Sequence, residues 1–238
     1  MPIYGRLPEA DRRELERHIQ IFLAEKYFEG CAGLAVTDEM RVIIAGQACL
    51  LLLHRETNYY PGLRTILVYP SGYFAHSRSI GPGGLVTEGM DPRSGESWHT
   101  PGAGGPVVLS WRDVKAGAVN ERDGHNVVYH EFAHQLDGES GSVEGAPVLH
   151  ERSQYTPWAQ VLGREFHRLR DDLRSGQPTL LNAYGATSPA EFFAVATETF
   201  FERPLEMRAR HPELYEQLRG YYRQDPAKLF ESDARAGG

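Results

Sequence analysis

The chain is poor in cysteine: Cys31 and Cys49 are its two, and neither is followed by the second cysteine or histidine that a structural zinc site needs. This excludes a disulfide scaffold and a zinc ribbon, and leaves buried, reduced thiols as the simpler reading. Positive charge is also scarce. With 25 Lys and Arg against 32 Asp and Glu in 238 residues, the net charge is −7, so the basic footprint of a nucleic-acid binder is missing. No apolar run is long enough to cross a bilayer of about 30 Å, because the longest, Val42 to Leu53, is interrupted by Gly46 and Gln47. Met1 to Leu7 lacks the basic start and apolar stretch of a signal peptide. A cytoplasmic protein without nucleic-acid or membrane partners is expected. Nucleophile-elbow, phosphate-loop and dinucleotide fingerprints are missing too, which removes the common hydrolase, nucleotide-binding and dehydrogenase alternatives.

What is present is centred on Asn126 to Gly138, where Asn126 suits an N-cap, Gly138 a C-terminal stop, and His130-Glu131-Phe132-Ala133-His134 forms a His-Glu-x-x-His motif. A helical turn takes about 3.6 residues, so His130 and His134 share a face and can converge on one cation. Glu131 is rotated roughly 100° from His130, which keeps it off the metal but within reach of an attacking water. With 10 histidines in the chain, chance places such a motif in roughly three of a hundred chains of this composition. Val127, Val128, Phe132, Ala133 and Leu136 would embed the helix in apolar surroundings. Two histidines and a glutamate buried there without a partner would cost several kcal/mol, and a zinc ion satisfies all three.

A catalytic zinc site takes a third protein ligand. Asp137, Glu139, Glu144, His150, Glu191 and Glu198 are the candidates. Asp137, one turn past His134, reads better as a helix-end residue or as an acceptor for an imidazole N–H. Ser188-Pro189-Ala190-Glu191 also fits a capping box, and Glu191, Glu198 and Glu202 share a helix face as a solvated stripe would. Spacing alone leaves the choice open, with Glu191 ahead of Glu198.

Helices are expected from Pro8 to about Tyr27, stopped by Gly30; from Thr37 or Asp38 through Val42 to Leu53, whose leucine run could instead be a buried strand; from Trp158 to Leu173; from Phe192 to Glu202, closed by Pro204; and from Pro212 to Arg223. Strands are expected at Thr65 to Tyr69 and Pro106 to Trp111, with hairpin pieces at Leu85 to Thr87 and Glu96 to Trp98 between them. A single domain spans residues 1–238, with a disordered tail from about residue 230.

Several stretches together resemble one known family. Glu29 to Cys31, Ala45 to Leu53, Tyr59 to Gly62, Pro106 to Trp111, His130 to Asp137 and Glu191 to Val195 are similar to the Mlc titration factor A family of bacterial zinc peptidases, itself related to the anthrax lethal factor catalytic domain. The resemblance implies an α+β, zincin-like (gluzincin) metalloprotease fold, mostly helical with a small mixed sheet beside the metal helix. It implies one zinc ion per chain on His130, His134 and Glu191, with Glu131 as general base. Tyr184, seven residues before Glu191 and otherwise one of 12 tyrosines, becomes a transition-state donor. The implied substrate is a peptide or protein, cleaved by an aminopeptidase or an endopeptidase. The family name adds a regulatory alternative, sequestration of a repressor of the Mlc type. The strand from Pro106 to Trp111 is expected to offer an open edge to an extended substrate.

Overall fold

A computed structural model describes residues 1–80, 86–93, 95–97 and 105–236, and the side chains of these residues outside 73–97 and 232–236. A short helix α1 (Pro2–Arg6) leads into α2 (Glu9–Glu25), which opens after Pro8 with Glu9 and Asp11 in its first turn and buries Leu15 and Phe22. That helix stops before Tyr27. Tyr27–Gly30 is strand β1, paired in parallel with β2 (Thr65–Tyr69), and Phe28 points into the core between the outward Tyr27 and Glu29. Gly30 is therefore no helix stop. A Cβ there would lie 1.8 Å from the Leu34 carbonyl oxygen, so the glycine permits a close approach of the chain to itself.

Helix α3 (Asp38–Leu50) begins at the Thr37 cap, whose hydroxyl accepts from the Met40 N–H, and Ile44 to Leu50 are all buried. Leu51 to Leu53 continue as buried turns, not as a strand. After β2 come β3 (Tyr73–Ile80) and β4 (Val86–Arg93), an antiparallel pair separate from the main sheet, then β5 (Gly95–Ser97) and β6 (Val107–Ser110). Leu85 and Trp98, expected in hairpin pieces, lie outside the described residues.

The main sheet has the order β1-β2-β6-β5. The first three strands are parallel, and β5 returns antiparallel on β6 with Gly95 opposite Leu109 and Ser97 opposite Val107. Strand β6 is thus an interior strand, and the expectation that it offers a free edge is wrong; among the described residues the outer strand on that side is β5. The strand also ends one residue early. Ser110 turns to cap α4 (Trp111–Val119), its hydroxyl accepting from the Asp113 N–H, so Trp111 opens a helix.

The second half is helical: α5 (Val127–Asp137), α6 (Tyr155–Arg174), α7 (Pro189–Glu202), α8 (Pro204–Arg210), α9 (Pro212–Tyr222) and α10 (Pro226–Ala236). Pro204 does close α7, but by serving as the first residue of α8, a position where the missing N–H costs nothing. The expected disordered tail is helical through Ala236, because Ala227 and Phe230 bury on one face; Gly237 and Gly238 lie outside the described residues. The architecture is α+β, mostly helical with a small mixed sheet. Helix α5 crosses its centre. Phe132 meets Tyr60 and Phe22 with ring centroids 4.8 and 5.8 Å apart, while the opposite side of α5 lies along α7.

Candidate metal centre

Asn126 starts α5 as expected, its side-chain oxygen accepting from the N–H groups of Val128 and Tyr129 at 3.1 Å each. With Phe132, Ala133 and Leu136 committed to the core, the helix is fixed in rotation and His130 and His134 emerge together, ring centroids 4.9 Å apart. Glu191 comes from the first turn of α7 and reaches both. One of its oxygens, Oε2, lies 2.9 Å from His130 Nε2 and 3.3 Å from His134 Nε2.

The capping box that competed for Glu191 is only half formed. Its backbone N–H donates to Ser188 Oγ at 3.2 Å, while its carboxylate turns to the imidazoles. Tyr184 sits on a 3₁₀ turn, Ala183–Ala186, just before α7. Its ring is 5.8 Å from that of His130, its hydroxyl donates to Glu191 Oε1 at 3.4 Å, and it is 53% exposed, on the solvent side of the cluster. Glu131 is buried, and burial pushes its carboxyl up to about 7 against the pull of the two histidines.

The remaining ligand candidates fall elsewhere. Glu144 and His150 are exposed on the loop after α5, and Glu139 is exposed in the turn that ends it. Asp137 accepts the Gly145 N–H at 2.7 Å through Oδ2; its Oδ1 and His134 Nδ1 are both buried without a hydrogen-bond partner among the described residues, so it is not the acceptor for that imidazole. Glu198 is not a ligand either. It is buried, and its Oε1 lies 2.7 Å from His130 Nδ1, which leaves Nε2 directed at Glu191.

Residue spacing gave no warning of this outer layer. Glu191 and Glu198 are seven apart, two turns along one helix face, and that face is buried, not solvated. Glu198 Oε2 also accepts the Asn126 N–H at 2.6 Å and lies 3.4 Å from His125 Nδ1. One turn on, Glu202 accepts from Asn126 Nδ2 at 3.0 Å and from the His125 N–H at 2.9 Å. Gln47 Oε1, from α3, accepts from the same Asn126 amide at 2.8 Å. The cap of the metal helix is thereby tied to two other helices.

The donor set fits a divalent cation. Bonds of about 2.0–2.1 Å place two donors of a tetrahedral site about 3.3–3.4 Å apart, which the 3.3 Å from Glu191 to His134 meets and the 2.9 Å to His130 falls short of. Charge supports the same reading. Burial drives His130 toward neutrality, yet Glu191 and Glu198 hold its proton well above the usual imidazole range. Despite its own burial, Glu191 is held far below the usual carboxylate range by the two histidines. The two carboxylates thus favour a positive charge between them, which a bound dication would supply without the proton.

Two imidazoles and a glutamate placed to hold a cation, with a buried second glutamate beside them, have the composition of a metal-dependent hydrolase site. The model of the glucose-regulated metallo-peptidase M90 family matches residues 1–223. The chain is 42% identical over 226 residues to an uncharacterized protein of Synechocystis, covering 95% of this chain and 81% of that one. It is 34% identical over 226 residues to Mlc titration factor A of Serratia proteamaculans, covering 92% and 84%. It is 31% identical over 229 residues to Mlc titration factor A of Klebsiella pneumoniae, covering 95% and 84%. The chain belongs to the M90 metallopeptidase family, which implies a divalent metal and a peptide substrate. Among the described residues, no helix is long and apolar enough to cross a membrane.

Proposed function

We propose that the chain is a cytoplasmic zinc peptidase of zincin-like, gluzincin type. His130, His134 and Glu191 would hold the ion. The observation that carries this reading is the convergence of both Nε2 atoms on one Glu191 oxygen, with Glu131 buried beside them. Zinc in such a site lowers the pKa of a water from about 15.7 toward 7 and polarises a carbonyl.

The chain's own groups do the rest. Glu131 takes the proton of the attacking water and returns it to the leaving amine, its burial favouring the uptake of that proton. Tyr184 extends its hydroxyl from the solvent side and donates to the oxyanion as the carbonyl is attacked. Glu198 keeps the His130 ring oriented. An extended peptide pairs along β5, the outer strand of the sheet among the described residues, beside α5.

Replacing Glu131 with Gln is expected to leave metal content unchanged and to abolish hydrolysis of a panel of aminoacyl and internally quenched peptides. Turnover surviving in this variant would remove Glu131 from the base role. A second reading, sequestration of an Mlc-type repressor, is favoured by the name that two of the relatives carry. It predicts equal repressor binding by the wild type and Glu131→Gln, with no peptide cleaved by either.

A further inference from the structure

A second group of metal-ligating side chains lies away from this centre. On α2, Asp11, Glu14 and His18 are spaced by three and four residues and so share a face. His54 reaches that face from the turn after α3, in a left-handed backbone conformation (φ 62°). Its backbone N–H donates to Glu14 Oε1 at 2.8 Å, which holds the ring over the helix. His54 Nε2 then lies 3.3 Å from Asp11 Oδ2, and one donor atom from each of Asp11, Glu14 and His54 falls within 4.8 Å of the others. The 3.3 Å separation matches that between His134 and Glu191 at the first centre.

Behind the carboxylates stands a supporting layer. His18 Nε2 is 3.3 Å from Glu14 Oε1, and its Nδ1 is 2.9 Å from the Tyr59 hydroxyl. Burial raises the Glu14 carboxyl, but the His54 N–H and the two imidazoles hold it below its ordinary range. Among the described residues no lysine or arginine pairs with Asp11 or Glu14; Arg13, on the same helix, pairs with Glu9 instead. Two half-buried carboxylates thus face two imidazoles with no fixed cation.

We propose that Asp11, Glu14 and His54 form a second divalent-metal site, which clamps α2 to the turn after α3. An imidazole with two carboxylates suits a borderline ion such as Zn²⁺ or Co²⁺ better than Mg²⁺ or Ca²⁺, which prefer all-oxygen shells. The site is structural, since among the described residues no further buried carboxylate stands beside it as Glu131 stands beside the first.

The test is the metal content of the full chain after loading with Zn²⁺ and desalting, for wild type, His54→Asn and His134→Ala. Asparagine tolerates the left-handed backbone and keeps the N–H bond to Glu14, so His54→Asn removes the imidazole alone. The expectation is about two zinc ions for the wild type and about one for each variant. In the His134→Ala background Zn²⁺ should still raise the melting temperature, and adding His54→Asn should abolish that shift. A wild type holding one ion that His54→Asn retains would overturn the second site. Unchanged content in His134→Ala would instead strike the first, so the two readings fail separately. Should His134→Ala not fold, the wild type and His54→Asn decide the matter by themselves.

Discussion

The two ends of the metal helix are built differently. At its start, Asn126, Glu198, Glu202 and Gln47 join α5 to α7 and α3 in a buried polar network, and His130 is held through its far nitrogen at 2.7 Å. At its end, His134 has no such support among the described residues; Asp137 holds the following loop by the Gly145 N–H, and Trp158 Nε1 donates to the Gly145 carbonyl at 3.0 Å. One end orients His130, a proposed ligand, directly. The other positions the helix that carries Glu191, the proposed third ligand, because Gly145 lies against the first turn of α7. Two histidines that look equivalent in the motif therefore differ at Nδ1, which Glu198 engages in His130 and which in His134 meets no hydrogen-bond partner among the described residues.

The largest expected effect breaks the packed end. Gly145 has φ 76°, and a Cβ on it would sit 2.4 Å from the Pro189 carbonyl oxygen, in the turn that presents Glu191. Gly145→Ala should cost about 2–4 kcal/mol, read as a fall in the urea midpoint at unchanged slope. It should also weaken metal binding, since the backbone carrying Glu191 must shift. A variant as stable as the wild type would show that the loop does not brace α7.

Glu198→Ala addresses the hydrogen-bonded end. Loss of the carboxylate behind His130 should lower zinc affinity about 10–100-fold, with Glu198→Gln recovering part of it, as measured by chelator competition. Asp137→Asn should leave the affinity within about a factor of three, because the contrast assigns Asp137 to the loop. Equal losses in the two would erase the distinction between the ends.

The smallest effect is a slope. Burial, aided by Asp123 and Glu198, pushes Glu202 up to about 9 from an ordinary 4.5. An acid whose folded value is raised contributes stability that is complete below its unfolded value and lost as pH rises through the folded one. Stability should therefore decline between about pH 4.5 and 9, by at most about 1.4 kcal/mol per unit from this group. Glu202→Gln should flatten that decline in denaturation curves taken at several pH values. An unchanged slope would place the proton elsewhere.

Much of the helical frame is legible in local pattern. The Thr37 cap, the Asn126 cap and the apolar side of α5 are short-range features, and they form as their residues dictate. The errors fall where a local signal has two meanings. A proline after a helix ends it or begins the next, as at Pro204. A glycine after a helix stops it or admits a close neighbour, as at Gly30. A strand's pattern shows that it is buried but not who pairs with it, and so β6 is misread as an edge. Glu198 and Glu202 suffer the same ambiguity, since a row of acids looks alike whether it faces water or a histidine and a helix cap.

By itself, the sequence determined the His-Glu-x-x-His pair and the helix that displays it, because a 3.6-residue period and a cap act over a few residues. Spacing left open which acid approaches that pair, the resemblance implied Glu191, and only the tertiary structure shows Glu191 beside both imidazoles and Glu198 behind one of them. Glu191 lies 57 residues from His134, and no helical period spans that distance. The packing of α7 against α5 brings one carboxylate to the Nε2 atoms and the next, two turns on, to Nδ1.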